Sequence, residues 1–335
     1  MKGILMRKLM ALIGVVLGLV LAGGQPAHAA SGSRFTLTPV LSDSQSKQAG
    51  IFDIVAKPGS QVKIAGKVTN LAGSKRTVQV QITNAGITQS GQIDYTPGVN
   101  RDKTLKHPLT SMTAGKQTIT LAAHQSKQVT FTLNIPQKGF KGMKLGALYA
   151  IDPQTYGGSG KGVSLSNRFS MYTAINLRTS KKYVHPDLKI AKVRYSQQNH
   201  QAAVLARLQN PKPELFGQMT VTTKVTKQGS KKVLLSRTAH KQAMAPNAHY
   251  DFATLATDGL RAGKYTLQLD AKSGTRKWHF TRHFTVTRKQ AAAIDSATSI
   301  TTPGTPWYVW VLIGLAVVII ALLGVILWRR RKQQH

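Results

Sequence analysis

Apolar residues recur at every second position over most of this chain, and that period constrains the fold more than any other feature. In "QVKIAGKVTN" the apolar series is Val62, Ile64 and Val68; in "RTVQVQIT" it is Val78, Val80 and Ile82. "QVTFTLNI" contributes Val129, Phe131, Leu133 and Ile135, and "RFSMYTAINL" contributes Phe169, Met171, Ile175 and Leu177. Successive side chains of a strand point to opposite faces, so each run can bury one face and leave the other in water. The runs are short, rich in Val and Thr, and closed by Gly, Pro, Asn or Ser. No amphipathic helical pattern interrupts them between Ala30 and Thr287. The series predicts an all-β chain of antiparallel, immunoglobulin-like β-sandwiches.

The hydrophobic signal pauses at "TSKKYVHPD" after Arg178, a basic and proline-bearing stretch that reads as a domain boundary. Beyond it the alternation resumes, with Val204 and Leu208, then Met219, Val221 and Val225. Tyr265, Leu267 and Leu269 follow in "GKYTLQLDAKSG", and Trp278, Phe280, Phe284 and Val286 close a hairpin. Both halves share one local layout: a strand ending in Asn (Asn70, Asn210), a polar loop, then a longer alternating strand. Two sandwiches in tandem are expected, residues 30–178 and 179–290. Residues 291–306, "AAAIDSATSITTPGTP", read as a Thr/Ser/Pro stalk.

The ends of the chain carry different signals. Lys2, Arg7 and Lys8, an apolar stretch and Ala27-His28-Ala29 have the order of a secretory signal peptide over residues 1–29, with cleavage before Ala30. Residues 307–328 carry no charge and are bounded by Trp307, Trp310 and Trp328, the pattern of a transmembrane helix with interfacial aromatic rings. Arg329, Arg330, Arg331 and Lys332 follow at once, a stop-transfer cluster in a basic tail of residues 329–335. The expected localisation is the cytoplasmic membrane, crossed once, with the sandwiches facing the cell wall and the C-terminus in the cytoplasm.

The chain has no cysteine, so no disulfide supports the exported part, and the cores must be sufficient. Formal charge is +35. Residues 31–178 carry 18 Lys and Arg against 5 Asp, and residues 179–306 carry 21 against 6 acids, so the excess runs through both halves. Such a field favours anionic partners. No nucleic-acid-binding motif is present, and anionic wall polymers suit an exported chain better.

Nothing points to catalysis. The eleven acids are scattered singly, as at Asp43, Asp94, Asp102, Asp152 and Asp258, and read as turn formers. His279 and His283 are four residues apart, which on a strand separates the rings by about 13 Å. No cofactor or metal is expected. One segment departs from the strand pattern: "SGQIDYTPGVNRDKTLKHPLT", residues 90–110. It reads either as an ordinary connection that happens to be long or as a ligand loop, with Tyr95 available to stack on a sugar and Asn100, Arg101 and Lys103 to meet polar or anionic groups.

The ordered blocks "KPGSQVKIAGKVTN", "SGQIDYTPGVNRDKTLKHPL", "LAAHQSKQVTFTLNIPQKGFKGMKLGALYA", "MAPNAHYDFATL" and "LRAGKYTLQLDAKSGTRKWHFTRHFTV" resemble the WxL-interacting protein family of Gram-positive cell surfaces. The resemblance implies a peptidoglycan-binding domain followed by a host-binding domain, without catalysis. It also implies an adaptor whose partners are peptidoglycan, WxL-domain surface proteins and host extracellular-matrix ligands. A different class of function, an extracytoplasmic chaperone or an accessory subunit of a secreted enzyme or assembly system, is also compatible with two β-sandwiches.

Overall fold

Alternation becomes strand throughout. The structure is a computed structural model that describes residues 34–41, 50–99, 102–154, 168–298 and 315. In chain order the first strands are β1 (Phe35–Val40), β2 (Phe52–Val55), β3 (Gln61–Asn70), β4 (Arg76–Asn84), β5 (Gly86–Ile87) and β6 (Ile93–Asp94). After a 3-10 turn at Leu109–Ser111 come β7 (Gln117–Leu121), β8 (Ser126–Asn134), β9 (Met143–Ile151) and β10 (Ser170–Arg178). The remainder are β11 (Lys189–Gln198), β12 (Gln201–Asn210), β13 (Phe216–Lys227), β14 (Val233–Met244), β15 (Ala248–Leu255), β16 (Gly263–Ser273) and β17 (Arg276–Val286). A helix, α1, spans Arg288–Thr298.

The chain forms two compact units. The first runs to Thr83 and includes Leu109–Lys138 and Gly146–Leu177. Its sheets are ordered β1-β3-β8 and β2-β10-β9-β4-β7. The inward series expected in β3, β4 and β8 forms its core, with Ile64, Val68, Val78, Val80, Phe131 and Leu133 all buried. The two sheets approach so closely at Gly66 of β3 that a Cβ there would lie 2.6 Å from Leu148 Cδ2 of β9. A side chain there would have to push Leu148 aside within the core.

The second unit takes Asn84–Pro108, Gly139–Leu145 and the chain from Arg178. Its sheets are β11-β12-β15 and β14-β13-β16-β17, with β5 and β6 as a small ribbon. Val204, Leu208 and Phe252 from one sheet meet Met219, Val221, Leu267 and Phe284 from the other in one core. Residues 84–108 fall on the first sandwich in the division read from the sequence, yet they group with the second unit. The reason lies in hydrogen bonds. Ala243 N donates to Gly91 O (2.7 Å) and Gln92 Nε2 donates to Lys241 O (3.0 Å), so the loop covers the edge of β14. An uncovered edge would leave such backbone groups without partners.

Part of the stretch at residues 291–306, a Thr/Ser/Pro stalk by its composition, is helical: residues 291–298 lie within α1. Thr287 caps that helix: Gln290 N donates to Thr287 Oγ1 (3.1 Å), and Thr287 N donates back to Gln290 Oε1 (3.1 Å). This reciprocal pair satisfies two otherwise orphaned donors, the run Ala291–Ala293 favours helix, and Ala291 and Ile294 pack against the core.

The expected localisation as a single-pass protein of the cytoplasmic membrane is corrected. Among the described residues no helix is long and apolar enough to cross a membrane. The 11 residues of α1 extend roughly 16 Å, about half of a hydrocarbon core. The span expected at residues 307–328 lies outside the described residues except for Leu315. Residues 1–29, the tail 329–335 and the anchor residues Trp307, Trp310, Trp328, Arg329, Arg330, Arg331 and Lys332 also lie outside them.

Candidate binding groove

β12 is buried on both faces along much of its length. Ala202, Val204, Ala206 and Leu208 enter the core, while Ala203, Leu205, Arg207 and Gln209 take the opposite face. The antiparallel register sets their neighbours: Arg194 beside Leu205, Leu205 beside Ala253, Arg207 beside Asp251 and Gln209 beside His249. Asn199 and His200 turn β11 into β12, both in the left-handed region at φ 51° and 60°. That turn matches the twist of the strands, and Asn adopts it readily.

Asp251 is the electrostatic centre of this face. Arg194 donates to its two oxygens at 3.2 and 2.6 Å, and Arg207 donates to the same oxygens at 3.0 and 3.1 Å. Burial pushes the Asp251 carboxyl up, but the hydrogen bonds and charges of Arg194 and Arg207 outweigh it and bring it down to about 2. Its share of stability is therefore complete above the ordinary carboxylate range and is lost only as pH falls toward about 2.

A second carboxylate fastens the loop. Asp102 accepts from Thr104 N (2.9 Å), Thr104 Oγ1 (2.7 Å) and Gln209 Nε2 (2.9 Å), and pairs with His249 Nδ1 (2.7 Å). Burial raises its pKa, and the hydrogen bonds from Thr104, Gln209 and His249 bring it below the ordinary value. Asn247 Nδ2 reaches Thr104 Oγ1 (3.2 Å) and Pro211 O (2.9 Å).

The loop and the sheet face enclose a groove of about 1340 Å³. Ile87, Asp94 and Val99 form one wall; Arg194, Leu205, Arg207 and Asp251 form the floor; the Asn199–His200 turn and Leu255 lie at one end. Val99 folds back so tightly that a Cβ on Gly86 would meet its Cβ at 2.9 Å. The groove offers fixed guanidinium and amide donors beside apolar patches. That is binding chemistry, and no cluster of three or more His, Cys, Asp or Glu that could hold a metal ion occurs among the described residues.

Of the residues expected in the ligand loop, Tyr95 is half-buried against an apolar cluster of Ala85, Met143, Leu145, Ala245 and Ala248. Lys103 is exposed beside Asp102, and Asn100 and Arg101 lie outside the described residues. Asp94 is the turn former expected of it, accepting from Thr96 N at 2.8 Å. Asp102 and Asp152 do more than form turns, since both are buried in polar networks. His279 and His283 have separate cross-strand partners, Asp270 (2.7 Å) and Thr266 (3.0 Å). Arg194, Arg207 and Asp251 were not singled out from sequence. The signal for Arg207 and Asp251 was a charge in the outward phase of a strand beside Ala203 and Leu205 or Ala253 and Leu255; Arg194 shares its phase with Lys192, Ser196 and Gln198 and carried no such signal.

Lys144 in β9 is buried and donates to Lys106 O. Desolvation lowers its pKa from 10.5 to about 8. The charged amine is thus disfavoured on folding at neutral pH, and stability should rise as pH increases from about 8 toward 10.5. Lys144→Met is expected to raise stability at pH 7 by on the order of 1–2 kcal/mol and to remove that alkaline rise. Urea midpoints measured across this pH range check it.

Residues 35–152 match the family described as WxL Interacting Protein, peptidoglycan binding domain, and residues 160–296 match WxL Interacting Protein, host binding domain. No curated protein matches. Among solved structures the chain is similar to one from a chaperone–tip adhesin complex of CFA/I fimbriae biogenesis, at 13% identity and TM-score 0.29, over 72% of this chain and 94% of that one. It is also similar to one from the Salmonella enterica SafA pilin–SafB chaperone complex, at 11% identity and TM-score 0.27, over 76% and 99%. The YadV chaperone is similar at 11% identity and TM-score 0.26, over 75% and 100%. At these TM-scores the likeness carries no argument about function. The two family matches describe binding domains, and the localisation they support is the cell surface. Together and in this order, they make the chain a member of the WxL-interacting protein family, cell-surface proteins that bind peptidoglycan and host ligands.

Proposed function

We propose that this protein is a non-catalytic adaptor at the cell surface, holding peptidoglycan through the first unit and a protein partner through the grooved second unit. The partner is a WxL-domain surface protein, with host extracellular-matrix ligands as further targets. The observation that carries the reading is the succession of a peptidoglycan-binding and a host-binding family match on one chain. The groove supports it by supplying the second unit with a concave surface of fixed donors. The loop at residues 90–110 keeps a binding role on this reading. Its described part walls the groove, and Tyr95 anchors it in the apolar cluster.

The formal charge of +35 suggests that anionic wall polymers add to peptidoglycan recognition. Retention of the purified protein on insoluble walls, with and without their teichoic acid, tests this across salt. Screening shortens the Debye length from about 10 Å at 0.1 M to about 3 Å at 1 M, so the charge-dependent part should be lost over that range. Bare peptidoglycan should still retain the protein at high salt. Failure to bind either wall preparation would end the wall-adaptor reading, and capture of a WxL-domain protein on the same columns tests the partner side.

A further inference from the structure

The outer face of β12 combines two chemistries at the spacing of an extended chain. At one level lie Arg207 and Asp251; two residues along lie Leu205 and Ala253, with Arg194 beside Leu205; two further lie Ala203 and Leu255. Each step is about 6.6 Å, which is also the distance between alternate side chains of any extended peptide. Two guanidiniums share the single carboxylate of Asp251, leaving an excess of one positive charge at this point. Each guanidinium has five N–H donors and spends two on Asp251, so donors remain. The side chains of Arg194 and Arg207 are 29% and 36% exposed, so a ligand can reach them. Leu255 is 43% exposed at the end of the same groove.

These features select among anionic ligands. Apart from histidines, Tyr250 supplies the only aromatic ring among the described lining residues, and it is buried. The lining therefore offers a sugar no exposed Trp, Tyr or Phe face, whereas an exposed apolar foothold at Leu255 and bidentate carboxylate donors are present. We propose that the groove binds an extended acidic segment of a partner protein. An Asp or Glu of that segment would compete with Asp251 for Arg194 and Arg207, while an apolar side chain two residues away lies over the level of the buried Leu205 and Ala253 and packs against the exposed Leu255. The proposal rests on the reading of the second unit as the partner-binding one and gives that partner a chemistry.

The test uses the full-length protein and fluorescence anisotropy with a short dye-labelled peptide repeating Asp-Thr-Leu-Thr. Its counterpart with Asn for Asp and a hyaluronan oligosaccharide, a polycarboxylate without apolar side chains, serve as comparison probes. The acidic peptide should bind, and the Asn peptide should bind about tenfold more weakly or worse, the loss expected for charge-assisted hydrogen bonds. The pair Arg194→Gln and Arg207→Gln should reduce the acidic peptide to the level of its Asn counterpart. Asp251→Asn should tighten it, because the internal competitor has gone, and a damaged fold could not produce a gain. Equal binding of both peptides, no tightening by Asp251→Asn, or binding of the oligosaccharide alone would overturn the proposal. Capture of a WxL-domain protein on the same preparation separates the two readings. Capture that the acidic peptide fails to displace removes the groove from the account and leaves the adaptor standing. Absence of capture removes the partner reading on which the groove proposal rests.

Discussion

Asp152→Ala should destabilise the first unit by about 3–5 kcal/mol, the cost of breaking a buried ion pair by removing one partner. Asp152 follows β9 and bonds Arg76 at the start of β4, with both side chains almost wholly excluded from water, at 0% and 5% exposure. The same carboxylate accepts from Gln154 N at 2.9 Å, and the Asp152 amide donates to Phe169 O at 3.1 Å. One residue therefore balances a buried guanidinium and joins residues 154 and 169 on either side of a long connection. Arg76→Met should cost a comparable amount, because it removes the other partner of the same pair. Arg76→Met combined with Asp152→Leu should cost less than the sum of the single changes, since the interaction between the two charges is then lost only once. Thermal and urea unfolding of the four proteins measures this. Additive losses would mean that the pair contributes no coupling.

Asn210→Ala should cost about 3 kcal/mol or more, from several buried backbone groups losing their partners at about 1–3 kcal/mol each. Asn210 has no exposed surface. Its Nδ2 donates to Glu214 O (2.7 Å) and Ala245 O (3.0 Å), and its Oδ1 accepts from Lys212 N (3.1 Å). Asn70 makes the same set in the first unit: Nδ2 to Ser74 O (2.8 Å) and Ala122 O (2.8 Å), with Oδ1 accepting from Ala72 N (3.0 Å). Both side chains bond two and four residues ahead and reach across to a distant loop. Asn→Asp at either position should be no better than Ala, because it removes the two donated bonds and buries a charge. An Asp variant as stable as the parent would show that the donated bonds contribute little. The matching losses should be read as shifts in denaturant midpoint.

The paired asparagines indicate how far a local pattern reaches. Their position at a strand end before a polar loop is visible in the sequence, because the first bonds they make are to residues two and four ahead. The third bond of each, to residues 52 and 35 positions away, is not visible. The α1 helix was also within reach. Thr287 and Gln290 have the spacing of a capping box, yet the Ser- and Thr-rich stretch beyond them suggested a stalk.

By itself the sequence determined the all-β class, the phase of burial along most strands, the turn residues and the family, all of which rest on short-range pattern or on ordered blocks. Side-chain alternation has a period of two, so one apolar series is enough to assign the faces of a strand. Only the tertiary structure decided where the loop from residues 84–108 belongs and which charged residues form a site. Arg194 and Asp251 are 57 positions apart, and Asp102 and His249 are 147 apart. Their meeting depends on the register of β11, β12 and β15 and on hydrogen bonds that draw the loop onto β14. A single Arg in the outward phase of a strand looks like any solvated surface residue until its neighbour across the sheet is known.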